Sequence, residues 1–174
     1  MSGDRRVRVT VTFLEMTEPP RAPAPPAPAG ATVRHVPHPP AELYRRLYDE
    51  VGRDWFWLDR RPLSDAELRA LIHAPGIELH VLELDGEMAG YAELDFSRPG
   101  EVRLMYFGLV PRFIGKGLGR WFLRWAVDRA WSTGPRRVWV DTCTLDHPRA
   151  LATYEAAGFR AFRTLEKDVT LPPD

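Results

Sequence analysis

Apolar and polar residues alternate with a period of two over residues 7–13, which is typical of a β-strand with one buried face. Three more strand-like segments lie close together at residues 77–84, 88–96 and 101–110. Short glycine-containing turns separate them. The pattern therefore predicts a first strand at the start of the chain and, later, an antiparallel meander of the second, third and fourth strands.

Apolar residues at helical spacing lie between the first strand and the meander. Residues 41–51 and 64–72 predict two helices. The second helix begins with a capping box, in which Ser64 and Glu67 satisfy each other's backbone N–H groups. Two helices are therefore expected before the meander.

Beyond the meander, helix and strand patterns alternate. A third helix begins near Gly119, residues 136–143 form a fifth strand, residues 148–157 form a short fourth helix, and residues 159–171 supply one or two more strands. This order predicts a mixed α/β fold.

Residues 18–40 are rich in proline and alanine. This composition favours extended polyproline conformations and does not form a core. A linker or a surface wrap is predicted here. A tether fits better than a docking ligand because no basic and aromatic specificity pattern accompanies the prolines.

Composition narrows the class of protein. With 174 residues, 44% of them apolar, the chain suits a single domain over residues 1–174, and 24 basic residues balance 24 acidic ones. This charge balance predicts no nucleic-acid or membrane partner. The lone Cys143 and an opening segment without a long apolar run predict a cytoplasmic protein.

His35 and His38 have no further ligands near them in sequence, so no metal is predicted.

Three glycines at alternate positions open the third predicted helix, within the sequence "LVPRFIGKGLGRWFL". A helix N-terminus presents unpaired N–H groups and attracts phosphate. Without β-carbons at Gly115, Gly117 and Gly119, successive N–H groups can converge on one anion. At a helix start each glycine costs roughly 1 kcal/mol of stability relative to alanine. An ordinary turn needs only one glycine or two, so the third points to a ligand. A pyrophosphate cradle is therefore predicted.

The glycine spacing excludes two other phosphate cradles. A dinucleotide fingerprint requires glycine where Arg120 stands, and a P-loop requires lysine and then serine or threonine where Leu118 and Gly119 stand. A proline ahead of G-x-G-[IL]-G at a helix start fits instead. On this loop the chain resembles the GCN5-related N-acetyltransferases (GNAT). The segment "RALATYEAAGF", with Tyr154 ahead of a glycine and an aromatic residue, is similar to that family as well.

The resemblance implies the GNAT fold, a mixed central sheet of six to seven strands with about four helices, splayed between the fourth and fifth strands. The proline-rich segment would be an insert. Acetyl-CoA would bind in the splay as co-substrate and donate its acetyl group directly to a primary amine. The implied cofactor-binding residues are Leu109, Val110, Arg112, Ile114, Gly115, Lys116, Gly117, Leu118, Gly119, Arg120 and His147.

Direct transfer requires three chemical functions. The family precedent assigns an oxyanion donor to the backbone N–H of Leu109 or Val110 and a proton donor for the leaving thiolate to Tyr154. An amine with a pKa near ~10.4 also needs a base or a desolvating pocket. Glu93, which lies between apolar neighbours, is the first candidate for the base, and Glu101 is the second.

The acceptor pocket is implied to lie at the loop between the first two helices. Trp55, Trp57 and, on the fourth strand, Tyr106 are the predicted substrate-binding residues. Aromatic rings near acids suit a cationic or aromatic amine, whereas Arg60 and Arg61 favour an acidic acceptor. Small-molecule and peptide amines both remain open, as do monomer and homodimer.

Two other functions compete with acetyl transfer. A non-catalytic acyl-CoA-binding regulatory module would bind the cofactor without turnover, and a nucleotide-binding protein would bind ATP or NAD in competition with coenzyme A. A thiol mechanism through Cys143 and His147 is disfavoured, because direct transfer needs no protein nucleophile.

Overall fold

The computed structural model describes residues 5–173 and contains seven strands and four α-helices in that range. Single 3₁₀ turns lie at Arg53–Trp55 and Pro111–Phe113. The elements in chain order are β1 (Arg5–Met16), β2 (Ala31–His35), α1 (Ala41–Gly52), α2 (Asp65–Ile72), β3 (Ile77–Leu84), β4 (Glu87–Asp95), β5 (Glu101–Leu109), α3 (Leu118–Trp131), β6 (Arg137–Cys143), α4 (Ala150–Ala156) and β7 (Arg160–Leu171).

The seven strands form one mixed sheet in the order β2-β3-β4-β5-β6-β1-β7. All neighbouring pairs are antiparallel except β5 and β6, which are parallel. The predicted mixed sheet with four helices is confirmed. The fourth and fifth predicted strands are β5 and β6. None of the helices between residues 5 and 173 is long and apolar enough to cross a membrane.

Helices cover both faces of the sheet. On one face, α1 packs on β4, where its Tyr44 contacts Glu93. On the other face, Trp125 of α3 lies edge-on to His80 of β3, with ring centroids 4.9 Å apart. The predicted capping box of α2 is confirmed, because Ser64 Oγ accepts from the Glu67 N–H and Glu67 Oε2 accepts from the Ser64 N–H.

Strand β2 lies inside the proline-rich segment, where no strand was predicted. Residues Ala31–His35 pair antiparallel with Leu84–His80 at the edge of the sheet. The five residues of β2 contain no proline, so every N–H group in them is able to join a sheet. The prediction of a linker was therefore wrong for these residues.

Strands β5 and β6 pair only at their beginnings. Three residue pairs, from Glu101–Arg137 to Arg103–Trp139, form the ladder, and the strands separate beyond them. A bulge in β5 accompanies the separation, because Glu93 and Leu94 of β4 lie opposite Tyr106 and Leu104, leaving Met105 as the extra residue. Bulges bend and twist a strand. The end of β5 is therefore turned away from β6.

Candidate active-site cleft

A cleft of about 1060 Å³ opens where β5 and β6 separate. Its walls are the ends of these two strands, the loop before α3, the N-terminal part of α4 and the loop after α1. One end contains the glycines of the cradle and the other contains aromatic side chains. A cavity of this size is sufficient to hold a drug-sized molecule.

The hydrogen-bond pattern of β5 exposes one backbone N–H at the cleft. The Val110 N–H donates to Ala89 O at 2.8 Å, so it is bound to the neighbouring segment. Residues along an antiparallel strand alternate between bonding to the neighbour and facing away. Leu109 and Phe107 therefore direct their N–H groups toward the side that β6 has left. Of the two predicted oxyanion donors, Leu109 has an N–H that faces the cleft, whereas the N–H of Val110 is already hydrogen-bonded to Ala89.

The cradle glycines have backbone conformations that favour glycine. Gly115 and Gly117 have φ values of 84° and 78°, in the left-handed region, and Gly117 is the N-cap of α3. A β-carbon on either residue would meet no atom within 4 Å. Both residues, with Gly119 and Arg120, line the cleft. The backbone at the start of α3 therefore faces the cleft with no side chain in between.

The predicted cofactor-binding residues divide into two groups. Those that line the cleft are Leu109, Ile114, Gly115, Gly117, Gly119, Arg120 and His147. Val110 and Leu118 are buried in the core. Arg112 forms an ion pair with Glu87 at 3.2 Å, and Lys116 lies over the Phe113 ring with its Nζ 5.7 Å from the centroid. The structure does not bring these four residues to the cleft.

Tyr154 of α4 lines the cleft with 8% of its surface exposed. Its ring packs between Phe107 and Phe159, with centroid distances of 6.5 and 5.9 Å. Burial, assisted by the negative charges of Asp146 and Asp141, raises the pKa of Tyr154 well above its ordinary value. The hydroxyl is therefore protonated at neutral pH and able to donate.

Asp146 holds the loop between β6 and α4, and sequence reasoning missed it. Its Oδ2 accepts from the Thr142 hydroxyl at 2.6 Å and the Cys143 N–H at 2.7 Å, while its Oδ1 accepts from Trp57 Nε1 at 3.4 Å. An aspartate three residues after a strand is a turn-forming residue, and this signal was available in "CTLDHP". Asp146 joins the two walls of the cleft.

His147 lines the cleft beside Trp55, with ring centroids 4.9 Å apart. The Arg149 N–H donates to its Nδ1 at 3.1 Å. A neutral imidazole that accepts at Nδ1 carries its proton at Nε2. His147 is thus arranged to donate from Nε2. Burial raises the pKa of Cys143, so its thiol is protonated and is not an activated nucleophile.

The three predicted substrate-binding residues all line the cleft, at its aromatic end. Tyr106 and Trp57 pack at a centroid distance of 5.0 Å, and Tyr48, which was not predicted, lies 5.4 Å from Tyr106. Trp57 lies directly against Gly52, where any β-carbon would collide with its indole. These three rings and Trp55, which line the same cleft, are called the aromatic wall below.

Glu93, the first predicted base, is completely buried and lies outside the cleft lining. Arg60 binds both of its oxygens, at 2.7 and 2.8 Å, and the Tyr44 hydroxyl donates to Oε2 at 2.6 Å. Burial alone would lower the pKa of Arg60, but the charge of Glu93 outweighs it and raises the pKa. The guanidinium lies 4.7 Å from the Tyr106 ring centroid, so this pair supports the aromatic wall from behind.

Glu101, the second predicted base, also lies away from the cleft lining. It stands at the start of β5, where Arg137 binds its Oε2 at 3.1 Å, whereas the cleft opens at the other end of the strand. The structure therefore brings neither carboxylate to the cleft. Asp59 is the exposed acid that lines the cleft at its aromatic end.

Comparison with known protein families identifies the family of this chain. The chain belongs to the acetyltransferase (GNAT) family, whose model matches residues 44–159. The match includes the cradle, β5, β6 and the helix that carries Tyr154. It also includes the bulge in β5 and the loop that carries the aromatic residues.

Two curated relatives are similar to parts of the chain. A mycothiol acetyltransferase of Salinispora arenicola is 40% identical over 93 residues, which cover 53% of this chain and 29% of that protein. A streptothricin acetyltransferase of Streptomyces lavendulae is 28% identical over 131 residues, covering 75% of this chain and 63% of that protein. The chain thus spans less than two thirds of the length of either relative.

Solved structures share the fold at low sequence identity. A GCN5-related N-acetyltransferase from Sphaerobacter thermophilus matches 98% of this chain and 54% of its own, with a TM-score of 0.69 and 20% identity. Another from Kribbella flavida matches 97% of this chain and 61% of its own, with a TM-score of 0.64 and 20% identity. The predicted GNAT fold is confirmed.

Proposed function

We propose that the protein is an N-acetyltransferase that moves an acetyl group from acetyl-CoA directly to a primary amine. The observation that carries this proposal is one cleft that contains the glycine cradle, Tyr154 and the aromatic wall together. Membership of the GNAT family supports the reaction class. The proposed unit is a single domain over residues 1–174, acting in the cytoplasm, where a lone cysteine stays reduced.

The cradle fits a pyrophosphate. The open space at the positions of the missing β-carbons of Gly115 and Gly117 lets an anion approach the N–H groups at the start of α3. Arg120, which lines the same end, adds a positive charge. Along the cleft, His147 would donate from Nε2 to a carbonyl of the pantetheine arm. Acetyl-CoA, when bound, supplies the thioester whose acetyl group is transferred.

Two groups of the chain would then act on the reacting atoms. The Leu109 N–H, which faces the cleft, would donate to the carbonyl oxygen as negative charge develops on it. Tyr154 would donate its hydroxyl proton to the sulfur that leaves. Because burial keeps this phenol protonated at neutral pH, the donor is ready before each turnover.

The aromatic end of the cleft suits a cationic amine. Asp59 lines it, and the rings of Trp55, Trp57 and Tyr106 provide faces for cation–π contact. The two arginines that favoured an acidic acceptor do not line this end, because Arg60 is neutralised by buried Glu93 and Arg61 pairs with Asp49 at 3.5 Å. We propose Asp59 in place of Glu93 as the group that takes up the amine proton through water, because Glu93 is buried outside the cleft lining.

A small-molecule acceptor is proposed over a peptide. The names of the relatives cite mycothiol and streptothricin, which supports this choice. The cleft also combines the acceptor wall and the cradle within about 1060 Å³. A second copy of the chain is not required for any group named above, so the monomer is proposed as the catalytic unit.

Calorimetric titration with acetyl-CoA, followed by thiol release with a panel of amines, tests the proposal. We expect saturable binding and thiol release that is faster with cationic small-molecule amines than with neutral or acidic ones. Competition by ATP or NAD would favour the nucleotide-binding alternative. Binding without release by any amine of the panel would favour the regulatory module, and no binding would contradict both.

Replacing Tyr154 with phenylalanine tests the proton donor. We expect Tyr154→Phe to lower kcat by about a hundredfold with little change in the Kd of acetyl-CoA, because only the hydroxyl that donates to the thiolate is lost. The retained ring preserves packing with Phe107 and Phe159, so the midpoint of thermal unfolding is the control. An unchanged kcat would remove Tyr154 from the mechanism.

A further inference from the structure

Four of the five histidines lie in two pairs around β2 and β3, and none of these four lines the cleft. His35 and His80 stand directly opposite each other in the β2–β3 ladder, with ring centroids 4.8 Å apart. His38 and His73 form the second pair, at 5.3 Å. Neither pair has a part in the proposed transfer reaction. The first pair is accompanied by a carboxylate and the second is not.

Glu78 completes a cluster with the first pair. It precedes His80 by two residues on β3, so both side chains project from the same face of the sheet, which α3 covers. The potential ligand atoms of His35, Glu78 and His80 all lie within 4.8 Å of one another. Two imidazoles and one carboxylate form a ligand set that proteins use for zinc with one position left for water.

The buried histidine has an unused nitrogen. His80 is 3% exposed, its Nε2 contacts Glu78 Oε2 at 2.8 Å, and its Nδ1 has no hydrogen-bond partner in the described chain. A buried polar atom without a partner is costly. With Nε2 directed at a carboxylate oxygen, Nδ1 is the ring nitrogen whose lone pair a cation would satisfy.

Arg129 of α3 orients the carboxylate. Its Nε and an Nη donate to the two oxygens of Glu78 at 3.0 and 2.6 Å. His80 Nε2 contacts Oε2 as well, at 2.8 Å. A carboxylate has about four lone-pair directions, so these contacts leave one free on Oε1. Arginine would therefore act as an outer partner, as is common around metal ligands.

We propose that His35, Glu78 and His80 bind a divalent transition-metal cation of the Zn²⁺ class at the β2–β3 edge of the sheet. Ligands of a tetrahedral zinc site lie about 3.3 Å apart, so the cluster must contract. His35 is exposed and turns to close the distance, whereas His80 and Glu78 are held by the core and by Arg129. The ion joins the end of the proline-rich segment to β3. Sequence reasoning missed this site because its ligands come from two segments 43 residues apart at their nearest.

Zinc binding by the chelator-treated full chain, with any purification tag removed, tests the site. Metal content after equilibrium dialysis against ZnCl₂ and calorimetric titration give the stoichiometry and the Kd. We expect one equivalent of Zn²⁺ and, at a hundredfold excess over the Kd, an increase of about 5 °C in the midpoint of thermal unfolding.

Variants separate this site from adventitious binding to histidine. His35→Ala removes an exposed ligand without disturbing the core, and we expect it to weaken binding more than about tenfold. His80→Gln should have the same effect. His38→Ala, in the same segment but outside the cluster, is the matched control and should bind as wild type does. Equal Zn²⁺ affinity in His35→Ala and wild type, or no uptake by wild type, would overturn the proposal.

Discussion

We expect Gly117→Val to weaken binding of coenzyme A by about a hundredfold. Gly117 has a φ of 78° and caps α3 where its N–H groups face open space. Valine places a branched side chain in the space that a pyrophosphate would occupy. Loss of two hydrogen bonds to a charged group, each worth roughly 1.5 kcal/mol or more, corresponds to about a hundredfold in Kd.

Gly134→Val is the matched control for this experiment. Gly134 lies in the turn between α3 and β6, has a φ of 69° and also has open space at its β-carbon position. Valine in a left-handed conformation is strained in both variants. Only Gly117 lines the cleft. Titration with coenzyme A should therefore separate them, and a Gly117→Val variant that binds as Gly134→Val does would refute the pyrophosphate cradle.

Arg60→Met should cost about 3–5 kcal/mol of unfolding free energy, because it leaves the charge of Glu93 buried and uncompensated. Glu93 has no exposed surface and depends on Arg60 for contacts to both oxygens. Urea unfolding monitored by circular dichroism measures this loss. The Tyr106 ring also loses the cation behind it, so the aromatic wall should loosen.

Two comparisons distinguish the buried pair from an ordinary ion pair. Arg46→Met breaks the exposed pair with Glu50, at 2.9 Å, and should cost less than about 1 kcal/mol. Combining Arg60→Met with Glu93→Met removes both charges and should recover at least half of the stability lost in the single variant. A single Arg60→Met variant as stable as Arg46→Met would show that Glu93 does not need its partner.

Local sequence was sufficient for the parts of the site that depend on neighbouring residues. The glycine-rich turn that opens α3 was predictable because its glycines, proline and helix start lie within ten residues. The position of Tyr154 on a short helix was predictable for the same reason, through the resemblance of its segment to the family. Their positions in one cleft follow from the order of strands, which the family fold supplied.

Pairings between distant residues were not predictable. Tyr91 and Glu93, two residues apart in β4, lie on one face of the strand, but the sequence did not show that α1 covers this face. The partner of Glu93 is Arg60, 33 residues away, in a segment with no periodic pattern. Strand β2 was hidden because prolines on both sides dominate the composition of its segment. In each case the deciding contact is made only in the folded chain.

The three-pair ladder between β5 and β6 also divides the sheet into two parts. On one side lie β2 to β5, on the other β6, β1 and β7, and the β1–β7 ladder alone extends over eleven residue pairs. The sheet therefore consists of two parts that are joined by a short ladder. A molecule bound in the cleft would contact both parts of the sheet, and its binding would therefore also hold the two parts together. The opening of the cleft is therefore also the place where neighbouring strands of the sheet share the fewest residue pairs.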